Sequence, residues 1–348
     1  MGLIDMHCDT ISKILHSTSG RNLLKNDLCI DIEKLKKADS SVQYFASFIF
    51  ALNHEMKAQN IKEECGQEWF KGFGTSNLAE IPISEVAWDL AWEEVLCMIA
   101  RLRREECDNL QIITNCCDAE NYVKNKILTG LATVEEGGVL NGKIERVEEL
   151  YKMGIRLLTL TWNFENCLGF PNNSCASIMN KGLKPFGIEV VEKMNELGMM
   201  IDVSHLSDGG FWDCIRYSKS PIVASHSNAR ALCGHPRNLT DEMLKALAEK
   251  GGVTGLNFYP AFLVEDGLVG NVDIARHALH MINVAGEDVV AIGTDFDGFD
   301  GEAESDFVTH IGEMGKIWDV FKKAGITERQ IDKIWHDNAW RVMKEVIK

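Results

Sequence analysis

The sequence predicts an α/β fold, a (β/α)8 TIM barrel, from three observations. Eight short apolar, β-branched runs alternate with helical patterns, the rhythm of βα units around a parallel sheet. The chain has 348 residues, which suits one barrel of roughly 250 residues carrying an insertion. Ligand-type side chains end the first, third, fifth, sixth and eighth runs. A doubly wound open sheet shares the alternation, but a closed barrel converges those ends on one rim.

The runs occupy residues 3–7, 44–50, 131–135, 155–161, 199–205, 221–227, 252–258 and 289–295. Between the second and third lies an insertion, 51–130, expected over or beside the barrel mouth. It holds an amphipathic stretch at 84–104 and an extra apolar run at 110–114. Near the end, Thr327 and Gln330 stand three apart, a spacing that lets each side chain satisfy the other's exposed backbone donor and opens a C-terminal helix. The whole chain, 1–348, reads as one domain.

Composition narrows the partners. The net charge is −16, with no Lys/Arg stripe interleaved with aromatics, so nucleic acid and anionic membrane are not expected. No apolar segment reaches the ~18 residues of a membrane span, and no basic leader precedes one. A cytoplasmic location is expected, and a homodimer is compatible with the sequence without being required by it. Eleven cysteines, an odd number at irregular spacing in a large chain, read as reduced thiols; the Cys116-Cys117 pair is taken as structural.

A single buried His is more often a hydrogen-bonded core residue than a ligand, and His16, His54, His277, His280, His310 and His336 are read that way. His7, His205 and His226 differ, because each closes an apolar run where its side chain can face the barrel axis. Asp9 follows His7 at i+2, so both face the same way in extended chain. Zinc accepts imidazole nitrogen and carboxylate oxygen together. Glu135 meets a turn, with Glu136 as its competitor, and a carboxylate's two oxygens can bridge two cations. His205 and His226 then complete a second site with an open position for solvent. Asp202 and Ser204 are candidates to support them from behind, although Asp202 could equally pair with a nearby helix.

At these residues the chain resembles the membrane (renal-type) dipeptidase family, the M19 metallopeptidases, among the amidohydrolase-like barrels. The most specific stretch is 225–239, SHSNARALCGHPRNL; IDMHCDT, VEEGG, DVSHLS and IGTDFDG follow the family's order. The resemblance implies two zinc ions per chain, one on His7, Asp9 and Glu135 and one on Glu135, His205 and His226. It implies Asp295 as the acid/base residue and Arg237 as the anchor of a dipeptide's terminal carboxylate, a role suited to a planar donor fork. Trp162, Asn163 and Tyr259 are expected to contact substrate. Family spacing selects Glu135 over Glu136, which is then expected at the surface or behind the ligands. Trp162 followed by Asn163 stands where animal members carry a His.

The expected reaction is attack on the peptide carbonyl by a hydroxide bridging the zincs alongside Glu135. Cys8 sits between two ligands, but its alternating side chain should point away. Another binuclear amidohydrolase, of lactonase or deaminase type, is the nearest rival. Many such enzymes bridge their metals through a modified Lys ending the fourth strand, and this chain has none there. A non-catalytic metal-binding barrel would have no need of Asp295 and Arg237.

Overall fold

A computed structural model describes residues 2–61 and 77–348. Nine parallel strands form one sheet among them: β1 Leu3–Asp5, β2 Ser40–Phe48, β3 Leu110–Ile113, β4 Leu128–Glu135, β5 Ile155–Thr159, β6 Met200–Asp202, β7 Val223–Ala224, β8 Val253–Leu256 and β9 Val290–Ile292. Neighbours run β2-β1-β9-β8-β7-β6-β5-β4, and a ladder from Val42↔Thr129 to Phe48↔Glu135 joins β2 to β4. This closes the barrel, whose eight staves are the eight apolar runs.

The ninth strand, β3, comes from the extra apolar run. It pairs with the first half of β4, Leu110↔Leu128 to Ile113↔Leu131, before β5 takes over at Ala132. Segment 51–130 is therefore not all over or beside the mouth, and its residues 62–76 lie outside those described. Helix Glu85–Arg103, capped by Ser84 Oγ accepting from Ala87 N at 3.3 Å, lays Trp88 against Gly138 just beyond Glu135. Helix Cys116–Lys124 lies at the opposite end, where the Cys116 thiol donates to Met343 O at 3.2 Å.

Most strands stop short of the runs that predicted them. Aspartates end the ladders by taking the donors that a longer ladder would use. Asp202 Oδ1 accepts from Ser204 N and Ser225 N at 3.1 and 2.9 Å, and Asp5 Oδ1 accepts from Thr294 N at 2.8 Å. His7, His205 and His226 consequently sit on loops past the strands, whereas Glu135 is the last residue of β4.

Inside the lower barrel, Ile4, Val42, Tyr44, Leu157, Met200 and Val253 pack on Val342, Met343 and Val346 of the helix Asn338–Val346, which plugs the bottom. Val42 and Tyr44 show the period of two that sends alternate side chains inward. Higher up, a Cβ on Gly293 would fall 1.8 Å from Ser225 O, so only glycine lets β7 and β9 approach there. The Thr327–Gln330 box forms as expected, with Gln330 N donating to Thr327 Oγ at 3.3 Å and Thr327 N to Gln330 Oε1 at 3.0 Å. Among the described residues no helix is long and apolar enough to cross a membrane, and all ten described cysteines are free.

Candidate metal centre

The loops after β1, β6, β7 and β9 and the end of β4 bring His7, Asp9, Glu135, His205, His226 and Asp295 into one buried cluster. The β1 and β9 loops are zipped together, Asp295 N donating to His7 O at 3.2 Å and Asp9 N to Phe296 O at 2.9 Å. Glu135 stands in the middle. Its Oε2 lies 3.4 Å from His7 Nε2, while its Oε1 lies 2.9 Å from His205 Nε2 and 3.5 Å from His226 Nε2. Asp9 Oδ2 and Asp295 Oδ1 approach His7 Nε2 from the other side, at 3.5 and 3.8 Å.

Hydrogen bonds behind His226 settle which nitrogen faces inward. Asp202 accepts from Thr159 Oγ1 and Ser225 Oγ through Oδ2, at 2.7 and 2.6 Å, and from Ser204 Oγ through Oδ1 at 2.6 Å. With its proton committed to Asp202, Ser225 Oγ can only accept from His226 Nδ1, 2.7 Å away. His226 therefore presents a lone pair at Nε2. On His205, Nδ1 faces Asn163 Oδ1 at 3.3 Å, which again leaves Nε2 as the acceptor. These two Nε2 atoms stand 3.0 Å apart, a repulsive pair that a shared cation field relieves.

The electrostatics carry the same sign. Burial pushes Glu135 and Asp295 each up to about 7, although His7 works against it. Burial alone would lower His7, but Glu135 and Asp9 outweigh it and hold the imidazole well above its usual range. Burial, with the charge of Arg237 and His7, keeps His205 and His226 well below theirs. Among the described residues, His7 Nε2 and Asp9 Oδ1 are buried without a hydrogen-bond partner. Crowded carboxylates, neutral imidazoles with inward lone pairs and two orphaned atoms fit divalent metal, which satisfies all of them. His7, Glu135 and His226 offer atoms within 4.8 Å of one another, as do His7, Asp9 and Asp295.

Several supporting residues were not legible beforehand. Asn257 donates from Nδ2 to Asp295 Oδ2 at 2.9 Å. Gly298 leaves room for the carboxylates, since a Cβ there would sit 2.3 Å from Asp9 Oδ2 and 2.4 Å from Asp295 Oδ1. The Asp297 carboxylate turns away and accepts from Thr10 Oγ1 and Cys29 N at 2.5 and 2.9 Å. Cys8 points out of the centre, its thiol donating to Tyr44 O at 3.3 Å.

Glu136 is not a surface residue. It is fully buried and accepts from Gly138 N, Asn166 Nδ2 and Trp162 N at 2.7, 2.6 and 3.0 Å. Its φ of 112° lies in the region that favours glycine, and these three bonds hold it there. Arg237 is also buried, and much of its fork is already engaged. Nη1 donates to Ser204 O and, at 3.0 Å, to Ser227 Oγ, and Nη2 donates to His226 O at 3.2 Å, while Nε has no partner among the described residues.

Two cavities meet over the cluster. One, of about 590 Å³, is bordered by Asp9, Glu135, Asp295, Phe48, Trp162 and Phe299; the other, of about 560 Å³, by Arg237, Asn172, Asn173, His235, Asn77 and Leu78. Asn163, His205, Tyr259 and Phe262 line both. The expected substrate-contacting residues Trp162, Asn163, Tyr259 and Arg237 thus all border this double cavity.

A parallel barrel with a buried imidazole and carboxylate cluster on its C-terminal rim is the architecture of a metal-dependent hydrolase. The sequence profile described as membrane dipeptidase (peptidase family M19) matches residues 1–348. The chain belongs to that family and is a metallo-dipeptidase. It is 34% identical over 265 residues to an uncharacterized protein in the pqqA 5′ region of Klebsiella pneumoniae, covering 74% of this chain and 96% of that one. It is 29% identical over 320 residues to an uncharacterized dipeptidase of Schizosaccharomyces pombe, covering 90% and 71%. Its fold matches a metallo peptidase from Rhodobacter sphaeroides liganded with a phosphinate mimic of the dipeptide L-Ala-D-Ala, at TM-score 0.83, 23% identity and 99% coverage of each chain.

Proposed function

We propose that this chain hydrolyses dipeptides at a centre of two zinc ions, one on His7, Asp9 and Glu135, the other on Glu135, His205 and His226. The observation that carries the reading is Glu135, whose two oxygens address His7 on one side and the His205–His226 pair on the other. When bound, the zinc pair supplies Lewis acidity and a hydroxide at neutral pH.

The chain's own residues do the rest. Asp295 holds a proton at Oδ1, on the side facing His7, while Asn257 fixes Oδ2. It takes that proton from the attacking water and returns it to the leaving amine. Arg237 provides the positive charge on its side of the double cavity, which attracts the substrate's carboxylate. Trp162 and Phe48 shield the other side from water.

Release of free amino acids from dipeptides tests the reading. Chelation should abolish it and added zinc restore it. A zinc-supplied preparation that cleaves no dipeptide in a broad set would sink it.

A further inference from the structure

The two cavities differ in chemistry, and the difference assigns the two halves of the substrate. Arg237 borders the second, which no Asp or Glu among the described residues lines; the first holds the metal-facing carboxylates of Asp9, Glu135 and Asp295, with Asp300 and Lys13 at its border. A dipeptide's carboxylate is drawn to Arg237 in the second, which leaves its amino-terminal residue in the first.

Two aromatic groups line the first cavity. Trp162 meets Phe48 edge-on at 5.1 Å and Phe50 at 5.5 Å. In the second group, Tyr259 packs on Phe299 at 5.3 Å and on Phe262 at 4.8 Å. The Trp162 backbone is held through its N–H by the buried Glu136, and its ring is packed among Phe48, Phe50 and Phe164. The second cavity is edged by side-chain amides that already have partners: Asn173 Nδ2 donates to Asn77 Oδ1 at 2.7 Å and Asn172 Nδ2 to His205 O at 3.1 Å. Rigid aromatic faces reward apolar area taken from water; the second cavity shares Tyr259 and Phe262 and adds Leu78 and Pro236, but it lacks Trp162, Phe48 and Phe299 and offers a side chain a smaller gain.

Resting on the dipeptidase reading, we infer that this enzyme selects its substrates at the amino-terminal residue. It favours a large apolar or aromatic side chain there, seated against Trp162 and Phe299, and is comparatively indifferent to the carboxy-terminal side chain. Hydrophobic slots discriminate side chains by about 10–200-fold.

The test is kcat/KM for Gly-Ala, Ala-Ala, Leu-Ala and Phe-Ala against Ala-Gly, Ala-Leu and Ala-Phe, with the zinc-loaded full chain. Phe-Ala should exceed Gly-Ala by at least about tenfold, and Ala-Phe should differ from Ala-Gly by much less. Trp162→Ala and, separately, Phe299→Ala should shrink the Phe-Ala to Gly-Ala ratio within each variant, a readout unaffected by a general loss of activity. A flat profile at the amino-terminal residue, a steeper one at the carboxy-terminal residue, or ratios unchanged in both variants overturns the assignment while leaving a dipeptidase. Turnover of none of the seven overturns the dipeptide reading itself, and this assignment with it.

Discussion

Asn257 donates from Nδ2 to Asp295 Oδ2 at 2.9 Å, so one oxygen of Asp295 is tied down and the other faces His7. Asp297, two residues on, spends both oxygens on Thr10 and Cys29. Asp295→Asn should therefore lower kcat by about 10²–10⁴-fold with metal content intact. Asp297→Asn should act on thermal stability instead. Metal analysis, kcat and a melting curve on the two variants separate these outcomes, and metal loss in Asp295→Asn would make that residue a ligand.

Adjacent glutamates should behave differently. Glu135→Gln removes the carboxylate between the three imidazoles and should deplete both metals. Glu136→Gln places an amide among three donors that need acceptors, at a cost of roughly 1–3 kcal/mol, while leaving metal stoichiometry unchanged. Denaturant unfolding and metal content, measured on both, check this; equal metal loss would contradict the placement of Glu135.

Ser225 links Asp202 to His226 and fixes the imidazole tautomer. Ser225→Ala should weaken zinc binding by about 10–100-fold, the usual effect of removing such a support. Competition against a zinc chelator reads this directly. Unchanged affinity would mean that His226 is oriented by its packing alone.

Arg237 serves two demands, bracing the Ser204 and His226 carbonyls and charging its cavity. Arg237→Met should raise KM for free dipeptides and shrink the wild-type preference for a free carboxylate over its amide, a charge-assisted bond being worth roughly 1.5–3 kcal/mol. Equal losses on both substrates would leave Arg237 as a brace only.

The barrel was legible because apolar runs and helical patterns are local signals, and the cluster because its residues recur at the same place in successive runs. Strand ends were not. Asp5 and Asp202 stop their ladders through side-chain acceptors, a competition that hydrophobicity does not record. The surface alternative for Glu136 fails for a similar reason, as its burial depends on donors from Gly138, Trp162 and Asn166, the last thirty residues away. Asn257 and Gly298 carry no ligand chemistry of their own, and only the folded chain sets them beside Asp295. The run at 110–114 was seen as apolar, but its place on β4 depends on β5 beginning late.

The central claim is that His7, Asp9, Glu135, His205 and His226 together hold two metal ions. Elemental analysis of the purified, zinc-reconstituted chain, paired with dipeptide hydrolysis on the same sample, tests it most directly. Close to two zinc ions per chain, with activity lost on chelation and recovered as both return, is the predicted result. One ion or none at full activity, or two ions retained by Glu135→Gln, would contradict it.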